Sequence, residues 1–182
     1  MVRDRLTVAA LAVLVVAGGL LVNHADRAWP ATRPFVTAGE QGRPAALWPG
    51  SVTVHSARAA RGLADGYGGS LTTGGVWVAV DLSVTGGDRP LDVGAFQLVD
   101  GEGRSYDATR RLSPNAPGTA QPSSPVRAEV IFEVPESTLG ALTLRASTLA
   151  VPQLSAVAEV PVRLAGAVGA ELEPRPTTLE TP

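Results

Sequence analysis

The side chains of this 182-residue chain that could do chemistry are few, and two histidines come first because they alone ordinarily titrate near neutrality. His24 follows an apolar run, and His55 falls in the alternating stretch Ser51–Ala57. A hydrolytic relay through His55 would need a serine nucleophile and a carboxylate brought to it by the fold. No G-x-S-x-G elbow marks such a serine, so His55 reads as a surface strand residue. Cysteine is absent, which excludes disulfides, thiolate metal sites, a catalytic thiol and a lipid-modified cysteine. Met1 is the only methionine, so the clustered Met and His of a copper-handling site are missing.

Two acidic, glycine-rich stretches could be mistaken for ion or phosphate loops. Asp100-Gly101-Glu102-Gly103 lacks the Asp/Asn ladder and distal bidentate Glu of an EF-hand and reads as a hairpin turn. Asp65-Gly66-Tyr67-Gly68-Gly69 has no G-K-[ST] and reads as a mobile loop with Tyr67 exposed at its tip. Tyr67 is therefore one candidate partner-binding residue, because loops on a rigid scaffold carry binding groups and an exposed Tyr is an efficient contact. Trp77 is a second, provided its strand face is uncovered; otherwise it packs in the core or under the Gly62–Gly75 loop. The sequence offers no catalytic, cofactor-binding or metal-ligating residue.

Composition bounds what must position these groups. Apolar residues make up 45% and aromatics 4%, so the core has to be built from Val, Leu and Ala with few large anchors. Gly (20) and Pro (15) are too frequent for a helical bundle and suit short strands joined by turns. A net charge of −2 gives no reason to expect a nucleic-acid partner. All 15 cationic residues are Arg; scattered as they are, they reflect the codon usage of a GC-rich genome rather than phosphate recognition.

Leu6–Val22 is a run of 17 residues with no charge and only Thr7 polar, ten of them Leu or Val. As a helix it would extend about 26 Å, near the short limit for a bilayer core of roughly 30 Å. It is expected to be a transmembrane signal anchor, with residues 1–5, including Arg3 and Arg5, as a cytoplasmic stub under the positive-inside rule. Cleavage is disfavoured because Asn23 and Asp26 would occupy the −3 positions of sites after Ala25 and Ala28. Trp29 would sit at the outer interface. Residues 23–49, with Pro30, Pro34, Pro44 and Pro49, read as an extended stalk, and residues 165–182 as a disordered tail.

Between them, residues 50–164 carry strand signals. Val76, Val78, Val80, Leu82 and Val84 alternate with Trp77, Ala79, Asp81 and Ser83, a period of two over nine residues. Ser51–Ala57 sets Val52, Val54 and Ser56 against Thr53 and His55. Ala95–Val99 and Arg104–Ala108 flank the hairpin turn. Val130, Phe132 and Val134 face inward against Arg127, Glu129 and Glu133, and Leu142, Leu144 and Ala146 mark a further strand. Val160, Val162 and Leu164 form a last one, at an edge because Pro161 cannot donate to a ladder. About seven such strands predict an all-β, antiparallel β-sandwich preceded by one transmembrane helix.

Three stretches carry a resemblance: Gly74–Val84 to a strand opening "G-x-W/F-V-V-V-D-V-T-V", Phe96–Tyr106 to an "F-x-L-x-D-x-x-G-x-x-Y" hairpin, and Ala128–Pro135 to an "x-x-V-x-F-x-V-P" strand. Over roughly Ser51–Leu164 the chain resembles the immunoglobulin-like extracytoplasmic domain of bacterial membrane-anchored proteins and lipoproteins, a family of unknown function. Thr85-Gly86 departs from the Asn usual after the first of these strands. The resemblance implies an exported immunoglobulin-like sandwich used for interaction and gives no catalytic residue. The function expected is thus a non-catalytic binding or accessory module of the cell envelope. It would be held by a single-pass anchor with its domain extracytoplasmic and would contact another envelope or transport protein. An envelope hydrolase using His55 and a purely structural spacer are the alternatives.

Overall fold

A computed structural model of the chain describes residues 2–28, 33–122 and 124–180, and within the N-terminal helix the side chains of residues 11–25. The chain divides into two units at Arg33. The first is a single helix, α1 (Val2–Ala28), built on the Leu/Val/Ala run in which no proline interrupts the hydrogen-bond ladder. Its described side chains are exposed all round, Leu11, Leu14, Val16, Leu20 and Val22 among them. Among the described residues no helix is long and apolar enough to cross a membrane. The side chain of Leu6, at the start of the expected span, lies outside the described residues, as do Trp29 and Pro30 and the side chains of Asp26 and Ala28.

The second unit is a β-sandwich. One sheet has the order β1 (Phe35–Ala38), β9 (Ala156–Val162), β8 (Leu142–Ser147), β5 (Ala95–Asp100), β6 (Ser105–Asp107). The other has the order β10 (Gly169–Leu172), β3 (Gly50–Ala64), β4 (Ser70–Gly86), β7 (Val126–Val134), β11 (Thr178–Leu179), with β2 (Pro44–Leu47) also paired to β3. Among the described residues, eleven strands thus stand where about seven were expected. Pairing is antiparallel except at two margins, where β1 runs parallel to β9 and β10 parallel to β3.

Between the sheets lies a core of small and branched residues, as the scarcity of aromatics requires. Val76, Val78, Val80, Leu82 and Val84 of β4 meet Val130, Phe132 and Val134 of β7 and Phe96, Leu98, Leu142, Leu144, Ala146, Val160 and Val162 of the facing sheet. The alternation read from β4, β7 and β8 is therefore the alternation that packs. On β3 it slips by one residue. Register shifts between Val54 and Ser56, so that His55 is the extra residue of a bulge and Ala57 and Ala59, rather than Ser56, continue the inward face.

Three expectations are corrected. The stalk expected over 23–49 does not extend past residue 34: β1 and β2 belong to the sandwich, one in each sheet, wrapping its margin. Pro44 is compatible with this because β2 pairs on one side only. The tail expected over 165–182 carries β10 and β11, and its Leu172 is buried. Pro161 lies in β9, which is flanked by β1 and β8 rather than forming an edge. Pairing with β1 stops at Glu159, however, so Pro161 falls where the missing N–H has no partner to lose.

The sandwich has two distinguishable ends. Register puts Phe35, Ala95, Ser147 and Ala156 at one end of their sheet and the β2–β3 turn, Gly86, Val126 and Leu179 at one end of the other. The short β4–β5 connection, with Gly87 against Pro49 and Gly94 against Thr148, joins these two ends. The loop joining β3 to β4, residues 65–69, and the β5–β6 hairpin lie at the other.

Candidate functional site

The two candidate contact residues separate sharply. Tyr67 is 97% exposed, the most open aromatic of the described residues. Its loop is tied rather than loose: Asp65 Oδ1 accepts the N–H of Tyr67 (2.8 Å) and of Gly69 (2.9 Å), and the Asp65 N–H donates to the Gly69 carbonyl (3.0 Å). Gly66 (φ +79°) and Gly68 (φ +92°) flank Tyr67 in left-handed conformations that a side chain would resist, and this throws the ring outward. The Tyr67 and Gly69 N–H groups hold the Asp65 carboxyl below its ordinary pKa.

Trp77 is a correction. It is 0% exposed, on the outer face of β4 with Ala60, Leu63, Ala79, Ile131 and Leu172. Its Nε1 donates to the Leu71 carbonyl (3.1 Å) and the Arg111 guanidinium stacks 5.1 Å from the ring centroid. The large apolar area of an indole is best hidden, and the C-terminal Leu172 completes the lid over it. Trp77 therefore presents no surface to a partner.

Beyond this cluster, the outer face of β4 carries the residues sequence reasoning missed as a group. Asp81 (3% exposed), Ser83 and Glu129 are buried beneath the C-terminal segment. Arg127 clasps Asp81 through Nε (2.9 Å) and Nη2 (2.7 Å), and Arg58 clasps Glu129 in the same two-pronged way (3.1 and 2.9 Å). The strap supplies the rest. Arg175 N–H donates to Glu129 (2.9 Å), Arg175 Nη1 lies 3.3 Å from Asp81, and Glu180 lies 3.5 Å from Arg127. Arg58 also donates to the Glu173 carbonyl (2.6 Å). Three guanidinium groups face three carboxylates, so the network is neutral as a set, and Arg127 hydrogen-bonding holds Asp81 below its ordinary pKa.

His55 joins the margin of this network. Its Nε2 lies 2.7 Å from Ser83 Oγ, and the Ser83 hydroxyl donates to Glu180 (2.8 Å). With that proton committed to the carboxylate, Nε2 takes the donor role toward Ser83. A relay needs the opposite: a serine that gives its proton to the imidazole and an acid on the far ring nitrogen. Ser83 is moreover covered by the strap that carries Glu180.

The Asp100 turn is a self-contained knot. Oδ1 accepts from the Glu102 and Arg104 backbone (2.9 Å each), and Oδ2 accepts from Arg104 Nε (2.7 Å) and the Tyr106 hydroxyl (3.0 Å). Burial pushes the carboxyl up, but these four donors outweigh it and hold it at about 2. Gly103 (φ +82°) supplies the left-handed turn the hairpin reading anticipated. Both carboxylate oxygens are already spoken for, and among the described residues no group of three or more His, Asp or Glu could hold a metal ion.

No family model matches the chain, and no curated protein or solved structure matches it.

Proposed function

We propose that the chain is a membrane-anchored accessory module of the bacterial cell envelope that acts by protein–protein contact, with α1 as the single-pass anchor and the sandwich outside the cytoplasm. The observation that carries this is Tyr67. An aromatic ring held fully open on a hydrogen-bonded loop costs little entropy to dock, and it stands at the end of the sandwich away from where the chain enters. The apolar run Leu6–Val22 supports the anchor, and the commitment of His55, Ser83, Asp81 and Asp100 to internal partners supports a non-catalytic role.

The test is site-specific photocrosslinking in native membranes, with a photoreactive residue at position 67 and, as control, at exposed Arg163. A discrete adduct at 67 that is missing at 163 is the expected result. Indistinguishable labelling at the two positions would remove Tyr67 as the contact and the module reading with it.

A further inference from the structure

Among the described residues of the sandwich, the large apolar or aromatic side chains left exposed are Phe35, Val36, Trp48, Tyr67, Leu149, Val151, Leu154 and Leu179. All but Tyr67 lie at or beside one end. Phe35 pairs with Ala156 at the start of β9, Leu149, Val151 and Leu154 lie in the loop that precedes it, and Leu179 pairs with Val126. Trp48 occupies the β2–β3 turn, which meets the β4–β5 loop where Pro49 abuts Gly87. A soluble monomer scatters exposed apolar residues; gathering them at one pole marks a contact surface.

Two details make the pole look built. Leu154 is 59% exposed and adopts φ +54°, a left-handed conformation that a bulky residue resists and glycine or asparagine would accept. Strain at a position that presents a leucine to solvent points to use of that leucine. Trp48, 64% exposed, carries the Arg89 guanidinium 4.7 Å from its ring centroid, an amphipathic pair suited to a boundary between apolar and polar phases.

The length of chain on the N-terminal side says what covers this pole. Twelve residues separate Val22, the last of the apolar run, from Phe35. Six of them continue α1 to Ala28, and no six further residues can add more than about 3.5 Å each, so the segment can reach at most roughly 30 Å. The long strands β3 and β4 make the sandwich itself about 50 Å from end to end at ~3.3 Å per residue. With the run in a bilayer, a tether shorter than the domain would not let the sandwich stand on its Tyr67 end, so the Phe35 end is the one within reach of lipid.

We infer that the Phe35 end of the sandwich rests on the lipid surface, with Trp48, Leu149, Val151 and Leu154 dipping into the interfacial layer and so holding the domain upright. This rests on the anchor reading above. The test uses the full chain, which has no native cysteine, carrying single substitutions Leu154→Cys, Val151→Cys or Tyr67→Cys labelled with an environment-sensitive fluorophore. In phosphatidylcholine vesicles the labels at 151 and 154 should shift to the blue and lose most of their emission to nitroxide-bearing lipid, while the label at 67 does neither. Adding Val151→Glu should abolish quenching at 154 without moving the thermal unfolding transition. Quenching at 154 no stronger than at 67, or quenching indifferent to Val151→Glu, would overturn the inference. So would a label at 154 that is shielded yet unquenched in a chain that light scattering finds dimeric, because a second copy would then be the occupant. Carbonate extraction separates the two readings. A chain that resists extraction but shows no quenching refutes the resting surface alone. A chain released by carbonate refutes the anchor, and quenching at 154 then still decides the surface.

Discussion

On the inner face of β4, Val76, Val78, Val80, Leu82 and Val84 disappear into a continuous apolar core; on its outer face, one residue out of phase, Trp77, Ala79, Asp81 and Ser83 are buried to the same depth by other means. The inner face is covered by a second sheet and needs only shape. Half of the outer face is a small apolar patch closed by Leu172, and the other half is a neutral set of ion pairs closed by residues 173–180. Apolar packing is non-directional, so the inner face tolerates whichever Val, Leu or Phe fills the space. Paired charges are directional, so the outer face fixes where the C-terminal strap lies. The network contributes register more than net stability, because desolvating its members offsets much of their attraction.

The sharpest way to break the comparison is to open a hole on the inner side. Phe132→Ala removes the largest fully buried side chain of the inter-sheet core and should cost about 3–5 kcal/mol, read as a fall in the denaturant midpoint at unchanged slope. A loss no larger than that of an outer-face substitution would mean the two faces are not mechanically distinct.

The outer face should respond differently to single and paired changes. Asp81→Ala removes the carboxylate that Arg127 clasps, leaving Arg127 only Glu180 and Arg175 only Glu129, and should cost about 1–3 kcal/mol, below the value for a fully buried pair because both guanidinium groups are partly exposed. Combining Asp81→Leu with Arg127→Met should recover much of that loss. A double variant as unstable as the sum of its singles would show that Asp81 and Arg127 are not coupled and that each acts through its other partners.

The smallest effect is in acid and belongs to the Asp100 knot at the Tyr67 end. Its folded carboxyl titrates at about 2, below the ordinary value, so its stabilisation is complete above the unfolded value of about 3.9 and is lost as pH falls toward 2. Asp100→Asn should therefore lower the melting temperature at neutral pH by more than it does near pH 2. A deficit independent of pH would assign the turn's stability to shape rather than to the carboxylate.

By itself, the sequence determined whatever follows from periodicity and local turn chemistry. The alternation of β4, β7 and β8 dictated the inter-sheet core, Asp100-Gly101-Glu102-Gly103 dictated a hairpin, and Asp65 to Gly69 dictated a loop that throws Tyr67 outward. It could not determine what covers the outer face of β4, because a polar residue in an alternating strand reads as solvated whether water or another segment lies above it. The partners of Asp81, Ser83 and Glu129 lie 28 to 97 residues away in sequence, and no local pattern carries such pairings. For the same reason the sequence leaves Trp77 open between contact and core, where the fold buries it, and the last residues read as too polar to order. Their carboxylates and guanidinium groups find opposite charges already waiting on the sheet, and only the closed tertiary fold puts the two within reach.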